Sequence, residues 1–219
     1  MSLDLNIPAH RKQALRELYW GDHGFLRLWF HNHHHLGEGM YRENQPSPKR
    51  IAIWADMGIK TVINLRGESP KGYYLLEKEA CKAHGLTLID YRMYSRDVHD
   101  AKTIKGARDL FETIEYPAVM HCKSGADRTG IMGVLYRHFK LGEPIAKAVE
   151  QLDFKYLHVR QGKTGMLDFF FKDYLAYAEI HGTDFMEWVE TVYEPQDVKA
   201  RFMSHWSGNA LTEFILRRE

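Results

Sequence analysis

Ala118-Val119-Met120-His121-Cys122 is a short apolar run directly behind Pro117. At Lys123-Ser124-Gly125-Ala126-Asp127 it passes into a small polar loop. From Arg128-Thr129-Gly130 the pattern is apolar and helical, through Ile131, Met132, Val134, Leu135 and Phe139. The run reads as a buried strand, and the continuously apolar segment after it as a buried helix that Gly142 and Pro144 stop. A strand, a tight loop and a buried helix in immediate succession make one unit of an α/β fold.

The same loop carries chemistry. Ser124, Gly125 and Ala126 are small enough for the backbone to curl with several N–H groups turned inward. Such a nest at the positive end of a helix binds a tetrahedral dianion. Arg128 can close the ring and grip two phosphate oxygens through its planar fork. In that field the sulfur of Cys122 is favoured as thiolate, a nucleophile below a bound phosphate. Thr129 is placed to donate a hydrogen bond to the sulfur, and His121 to orient the loop.

Working outward, Lys60 to Leu65 reads as a buried strand and Leu86 to Met93 alternates like one. Helical spacing runs over about 48–57, 72–84, 98–114, 144–152 and 166–180, and again from Asp184. Tyr41 to Pro48 reads as turn-rich. Strands separated by helices predict a central, mostly parallel sheet flanked by helices. No repeat or linker divides the chain. The expectation is a single domain over residues 1–219, its core at about 39–181, with helical N- and C-terminal extensions.

Composition narrows the function. Of 219 residues, 30 are Lys or Arg and 29 are Asp or Glu, a net charge of +1. No overall field draws in nucleic acid, and a basic site must be local. Asp4, His10, Arg11 and Lys12 break the N-terminus below signal-peptide length, and the greasy Phe25 to Phe30 is too short to span a bilayer. Two cysteines, Cys81 and Cys122, make no disulfide framework. Cytoplasmic location is therefore expected.

Cys-x5-Arg followed by Thr-Gly, behind a buried strand and His121, resembles the cysteine-dependent protein tyrosine and dual-specificity phosphatase superfamily. Tyr41-Arg42-Glu43-Asn44-Gln45-Pro46-Ser47-Pro48, a helix, and Thr61-Val62-Ile63-Asn64-Leu65-Arg66 look like the opening of a subgroup. That subgroup holds bacterial dual-specificity-like enzymes and plant and fungal atypical dual-specificity phosphatases. The resemblance runs from about Gly39 to Tyr177. It implies Cys122 as nucleophile, Arg128 as phosphate ligand, no metal and no cofactor. The substrate would be a phosphorylated protein or a small phosphoester. The loop residues Lys123, Ser124, Gly125, Ala126, Asp127 and Thr129 would form the binding site.

The family also needs an acid for the leaving oxygen, usually an Asp on a nearby loop. Ser95-Arg96-Asp97-Val98-His99-Asp100 offers Asp97 first. Asp100 is the rival, although it sits where a helix N-cap belongs, and His99 reads as solvent-exposed. Lys123 adds a cation that a multiply phosphorylated ligand would favour, as in phosphoinositide-directed members; Ala126 and Asp127 depart from their basic pattern. A rhodanese-like sulfurtransferase fits less well, because five residues part Cys122 from Arg128 and the apolar helix follows at once. A pseudophosphatase would normally lack the cysteine or the arginine, and both are present. Gln161, with Arg160 and Lys163, is a candidate to face the pocket. His31, His33, His34 and His35 read as a solvated patch, Phe25 to Phe30 as a docked helix, and Cys81 as structural.

Overall fold

The computed structural model describes residues 3–216; residues 1, 2 and 217–219 of the expected span lie outside it. In chain order the elements are α1 (Pro8–Arg16), β1 (His34–Gly37), β2 (Met40–Asn44), α2 (Pro48–Asp56), β3 (Thr61–Asn64), α3 (Gly72–Ala83), β4 (Thr87–Asp90), α4 (Ala101–Thr113), β5 (Ala118–Cys122), α5 (Asp127–Phe139), α6 (Ile145–Ala148), α7 (Met166–His181), α8 (Phe185–Thr191) and α9 (Pro195–Leu216). The five strands form one sheet in the order β1-β2-β5-β3-β4. β1 is antiparallel to β2 and every other pairing is parallel, so the expected α/β class and mostly parallel sheet hold.

One expectation fails. Residues 40–44 are not a turn: Met40 to Asn44 pairs in parallel with all of β5, Asn44 opposite Cys122. The polar run Arg42-Glu43-Asn44-Gln45 is wholly buried. Partners brought in by other elements satisfy its side chains, so local polarity misleads.

Side-chain alternation along β5 splits the core in two. Ala118, Met120 and Cys122 face the larger cluster, with Ile104 and Phe111 of α4, Ile131 and Leu135 of α5, and Phe170 and Phe171 of α7. Phe185 and Trp188 of α8 join the same cluster, so the C-terminal extension packs on the sheet layer. Val119 faces the smaller cluster with Trp54 of α2 and Ala80 and Cys81 of α3. Cys81 therefore lies on the opposite side of the sheet from Cys122, consistent with a packing role; burial pushes its thiol up to about 12, with Glu77 and Asp90 adding to the rise. Among the described residues no helix is long and apolar enough to cross a membrane.

The N-terminal extension packs on α3, with Ala14, Leu18 and Leu76 at the contact. A Cβ on Gly72 would lie 2.4 Å from the Ala14 Cα and 2.6 Å from its carbonyl oxygen. Gly72→Ala is therefore expected to destabilise the fold by about 1–3 kcal/mol through backbone overpacking. Urea unfolding measures it; an unchanged midpoint would show that α1 is not seated there.

Candidate active site

The loop after β5 is held from outside, by its carbonyls. The Lys123 carbonyl accepts from the Gln45 amide at 3.3 Å and from the Arg27 guanidinium at 3.4 Å. The Ser124 carbonyl accepts from Asn32 Nδ2 at 3.0 Å. Arg42 donates to the carbonyls of Gly125 at 2.7 Å and Ala126 at 3.3 Å. With four consecutive carbonyls bound outward, the amides of Ser124, Gly125 and Ala126 have no protein acceptor among the described residues. Amides left free in this way on a tight turn are the kind of donors that can bind an oxyanion. Gly125 is required twice over: its φ is +72°, and a Cβ would meet the Glu43 carbonyl oxygen at 2.8 Å.

Arg42 is the centre of this support. Its side chain is fully buried on β2. It donates to the Gln151 carbonyl at 3.0 Å and to Gln151 Oε1 at 2.7 Å, and its guanidinium stacks 3.9 Å over the Tyr156 ring. Burial brings its pKa down to about 10, against the nearby Tyr156, Cys122 and Asp127, which leaves it cationic at neutral pH. Gly130 and Gly133 on α5 let the Gln151-Leu152 segment approach closely; a Cβ on Gly130 would lie 2.7 Å from Leu152 Cδ2. Asn32, buried and at φ +52°, also donates to the Tyr156 carbonyl at 3.0 Å. Sequence reasoning missed Arg42, Asn32 and Arg27. Only Arg42 carries a local signal, a charged residue inside a strand register.

The predicted residues fall as follows. Cys122, at the end of β5, is buried. Arg128 sits in the first turn of α5, half-buried, with no hydrogen-bond or ion-pair partner among the described residues. Thr129 is buried and its hydroxyl has no partner among the described residues, so the expected bond to the Cys122 sulfur is not formed here. Lys123 lies between His23 at 3.2 Å and Asp22 at 3.9 Å. Asp127 accepts from His158 at 2.8 Å. His121 points to the other side of the sheet, where its Nε2 meets Glu77 of α3 at 2.5 Å. Glu77 also accepts from Gln45, and Arg66 donates to Gln45 and Asp22. That relay ties the chain after β2, the end of β3 and the N-terminal segment to the strand that bears Cys122.

The candidate acids are both held as anions. Asp97 is half-exposed; burial works to raise its pKa, but a hydrogen bond from Lys199 of α9 and one from the Val98 amide hold it below the usual carboxylate range. The Asp97–Lys199 distance is 2.8 Å. Asp100 caps α4 by accepting from the Thr103 amide at 2.8 Å, the cap its position predicts. The Thr103 side chain first, and then this amide bond, keep its pKa below the usual carboxylate range.

Four expectations need correction. His99 is buried, not exposed: its Nε2 accepts from the Tyr94 amide and its carbonyl from Tyr193, and burial takes it down to about 4. The histidine patch is only partly solvated, because His33 pairs with buried Glu43 at 2.7 Å and His34 lies edge-on to Tyr156. Residues 24–28 form a short 3-10 turn with Leu26 and Leu28 exposed, and Trp29 beyond them is 84% exposed; Arg27 alone turns inward to the loop. Gln161 lines a groove between α7 and α9, where its carbonyl accepts from Trp206, away from the Cys122 loop.

Residues 40–140 match the model of a family described as the tyrosine phosphatase family. Inositol diphosphatase DSP4 of Arabidopsis thaliana is 24% identical over 102 residues, 44% of this chain and 50% of that protein. Dual specificity protein phosphatase TpbA of Pseudomonas aeruginosa is 23% identical over 122 residues, 55% of this chain and 53% of that protein. The chain thus spans about half the length of the curated relatives it matches. The crystal structure of P. aeruginosa TpbA has the same fold at TM-score 0.52 and 20% identity, over 73% of this chain and 88% of that one. The segment that carries β2, the Cys122 loop and α5, residues 40–140, is the part of this chain that is similar to the tyrosine phosphatase family.

Proposed function

We propose that this protein is a cysteine-dependent phosphatase that hydrolyses phosphomonoesters through a phosphocysteine intermediate, with phosphotyrosine or another phosphorylated protein side chain as first substrate class. The observation that carries the reading is the loop of residues 123–126, whose carbonyls are all held outward while Arg128 at the helix start has no partner among the described residues. Such a site binds three phosphoryl oxygens and follows their charge into the transition state.

The Cys122 thiolate attacks phosphorus in line. The S–P bond forms as the P–O bond to the substrate breaks, and the departing oxygen takes the proton of Asp97. Arg128 and the loop amides hold the equatorial oxygens throughout. Water then attacks phosphorus, gives its proton to Asp97, and the S–P bond breaks to return thiolate and inorganic phosphate. Asp97 has to leave Lys199 before it can carry that proton. Thr129, buried behind the loop with its hydroxyl unpaired, is placed to stabilise the leaving sulfur in the second step. The role of Ser124, Gly125, Ala126 and Lys123 is to bind phosphate through the backbone. A thiol nucleophile works only when reduced, which supports a cytoplasmic setting.

Phosphoinositides, inositol phosphates or another small phosphoester are the second reading, on Lys123 directly after the nucleophile. Its ammonium is drawn toward Asp22 and His23, which favours phosphoprotein. Phosphate release from a phosphotyrosine peptide, a phosphoserine peptide, a phosphoinositide and inositol polyphosphates decides between them. Turnover is expected to survive chelator and to vanish in Cys122→Ser. Binding without turnover on every member would make the protein a pseudophosphatase and refute the reading.

Two variants test the parts. Asp97→Asn should lower kcat on the phosphotyrosine peptide by about 10²–10⁴-fold, and much less on p-nitrophenyl phosphate, whose leaving group needs no proton; equal losses on both would remove Asp97 from the acid role. Arg42→Met should weaken tungstate binding by roughly ten- to a hundredfold, as expected for hydrogen bonds to a charged group worth about 1.5–3 kcal/mol. Calorimetry on the folded variant measures it, and unchanged affinity would show that Arg42 does not shape the loop.

A further inference from the structure

His158 follows a short 3-10 turn (Phe154–Tyr156) and Leu157, which is at φ +66°. Its side chain is fully buried between two carboxylates. Nδ1 lies 2.8 Å from Asp127 Oδ1, on the first residue of α5, and Nε2 lies 2.7 Å from Asp168 Oδ2 on α7. Ionised carboxylates only accept, and a neutral imidazole has a single N–H; both contacts are hydrogen bonds only when the ring carries two protons. Asp127 is the residue before Arg128, so the first of these contacts fixes the turn from which the proposed phosphate ligand projects.

We propose that His158 is a positioning residue of the phosphate loop: a buried imidazolium clamp that ties Asp127, and with it the start of α5 and Arg128, to Asp168, and that releases the loop when it loses a proton. This inference rests on the phosphatase reading above.

The charges around the ring fit this role. On the loop side stands Asp127, with Arg42 near enough to feel it. On the α7 side stands Asp168, which also takes Arg160 Nε at 2.9 Å. Arg96 and Lys163 line the cavity onto which Asp127 opens. Burial opposes the charge on His158, but the hydrogen bonds and charges of Asp127 and Asp168 outweigh it and raise its pKa to about 9. The ring is therefore an imidazolium at neutral pH. Because the folded value lies above the unfolded one of about 6.5, the clamp stabilises fully below pH 6.5. That contribution fades as pH rises through about 9. Above that pH a nitrogen lone pair faces a carboxylate, and one of the two contacts opens.

The test is the pH dependence of kcat and KM for phosphotyrosine-peptide hydrolysis in the wild type, Asp168→Asn and His158→Gln, with a ¹³Cε1 NMR titration of His158. Asp168→Asn keeps Asp127 and removes one anion. It should move the alkaline limb of kcat/KM down by about one pH unit or more, with the His158 titration moving in step. His158→Gln should abolish that high-pH limb, leaving the separate limb set by loss of the Asp97 proton, and raise KM about tenfold at pH 7, with a smaller change in kcat. A limb that stays in place in Asp168→Asn, or a loss of thermal stability with unmoved kinetics, would reduce His158 to a structural ion pair and overturn the proposal. If the wild type turns over no substrate, the phosphatase reading fails by itself. The clamp is then read from the titration and from tungstate affinity against pH, which should fall above pH 9 in the wild type; affinity flat across that range would overturn it.

Discussion

A turn of backbone can present its amides to an anion only if something else holds its carbonyls. Here that constraint is met by Arg42, a guanidinium buried in the sheet beside β5. Removing a cation from water is costly unless hydrogen bonds and opposite or polarisable partners surround it. Arg42 has the carbonyls of Gly125 and Ala126, both oxygens of Gln151 and the face of Tyr156. The same bonds that stabilise the cation hold the loop. The shape of the Cys122 loop is therefore a property of β2 and of the Gln151–Tyr156 segment as much as of its own sequence.

The N-terminal residues complete the cradle. Arg27 and Asn32 bind the Lys123 and Ser124 carbonyls, and Asp22 receives Arg66 from the end of β3. These residues precede the segment that matches the tyrosine phosphatase family model. On the far side of the sheet, Gln45, Glu77 and His121 relay that order to the strand carrying Cys122. Any displacement of residues 22–32 is thereby felt at the nucleophile.

Much of this was legible in the sequence. The strand β5 and the helix α5 follow from an apolar run, a small polar loop and a second apolar run, because burial periodicity and glycine placement are local signals. The helices α2, α3, α4 and α7 and the strands β3 and β4 were readable for the same reason, to within a few residues. β2 was not. Arg42, Glu43, Asn44 and Gln45 look like surface residues until Gln151, Arg50, Phe30 and Glu77 arrive from distant parts of the chain to bind them. His99 and His158 were misread or passed over likewise: one is held by bonds from Tyr94 and Tyr193, and what charges the other is a pair of carboxylates on two separate helices.

Asp97 shows where chemistry and resting structure pull apart. Its pairing with Lys199 suits an anion, whereas the proposed donation to a leaving oxygen needs the acid form, so the proposed step requires the loop to move off α9. The proposed nucleophile, Cys122, has no such ion pair to break, buried at the end of β5. The most direct measurement is therefore at the sulfur: rapid acid quench during turnover of a phosphotyrosine peptide, followed by mass spectrometry of the peptide containing Cys122. A phosphoryl group on Cys122 that appears in the first turnover and disappears when substrate is exhausted is the predicted result. An unmodified Cys122 during sustained turnover, or a phosphoryl group on another residue, would contradict the mechanism.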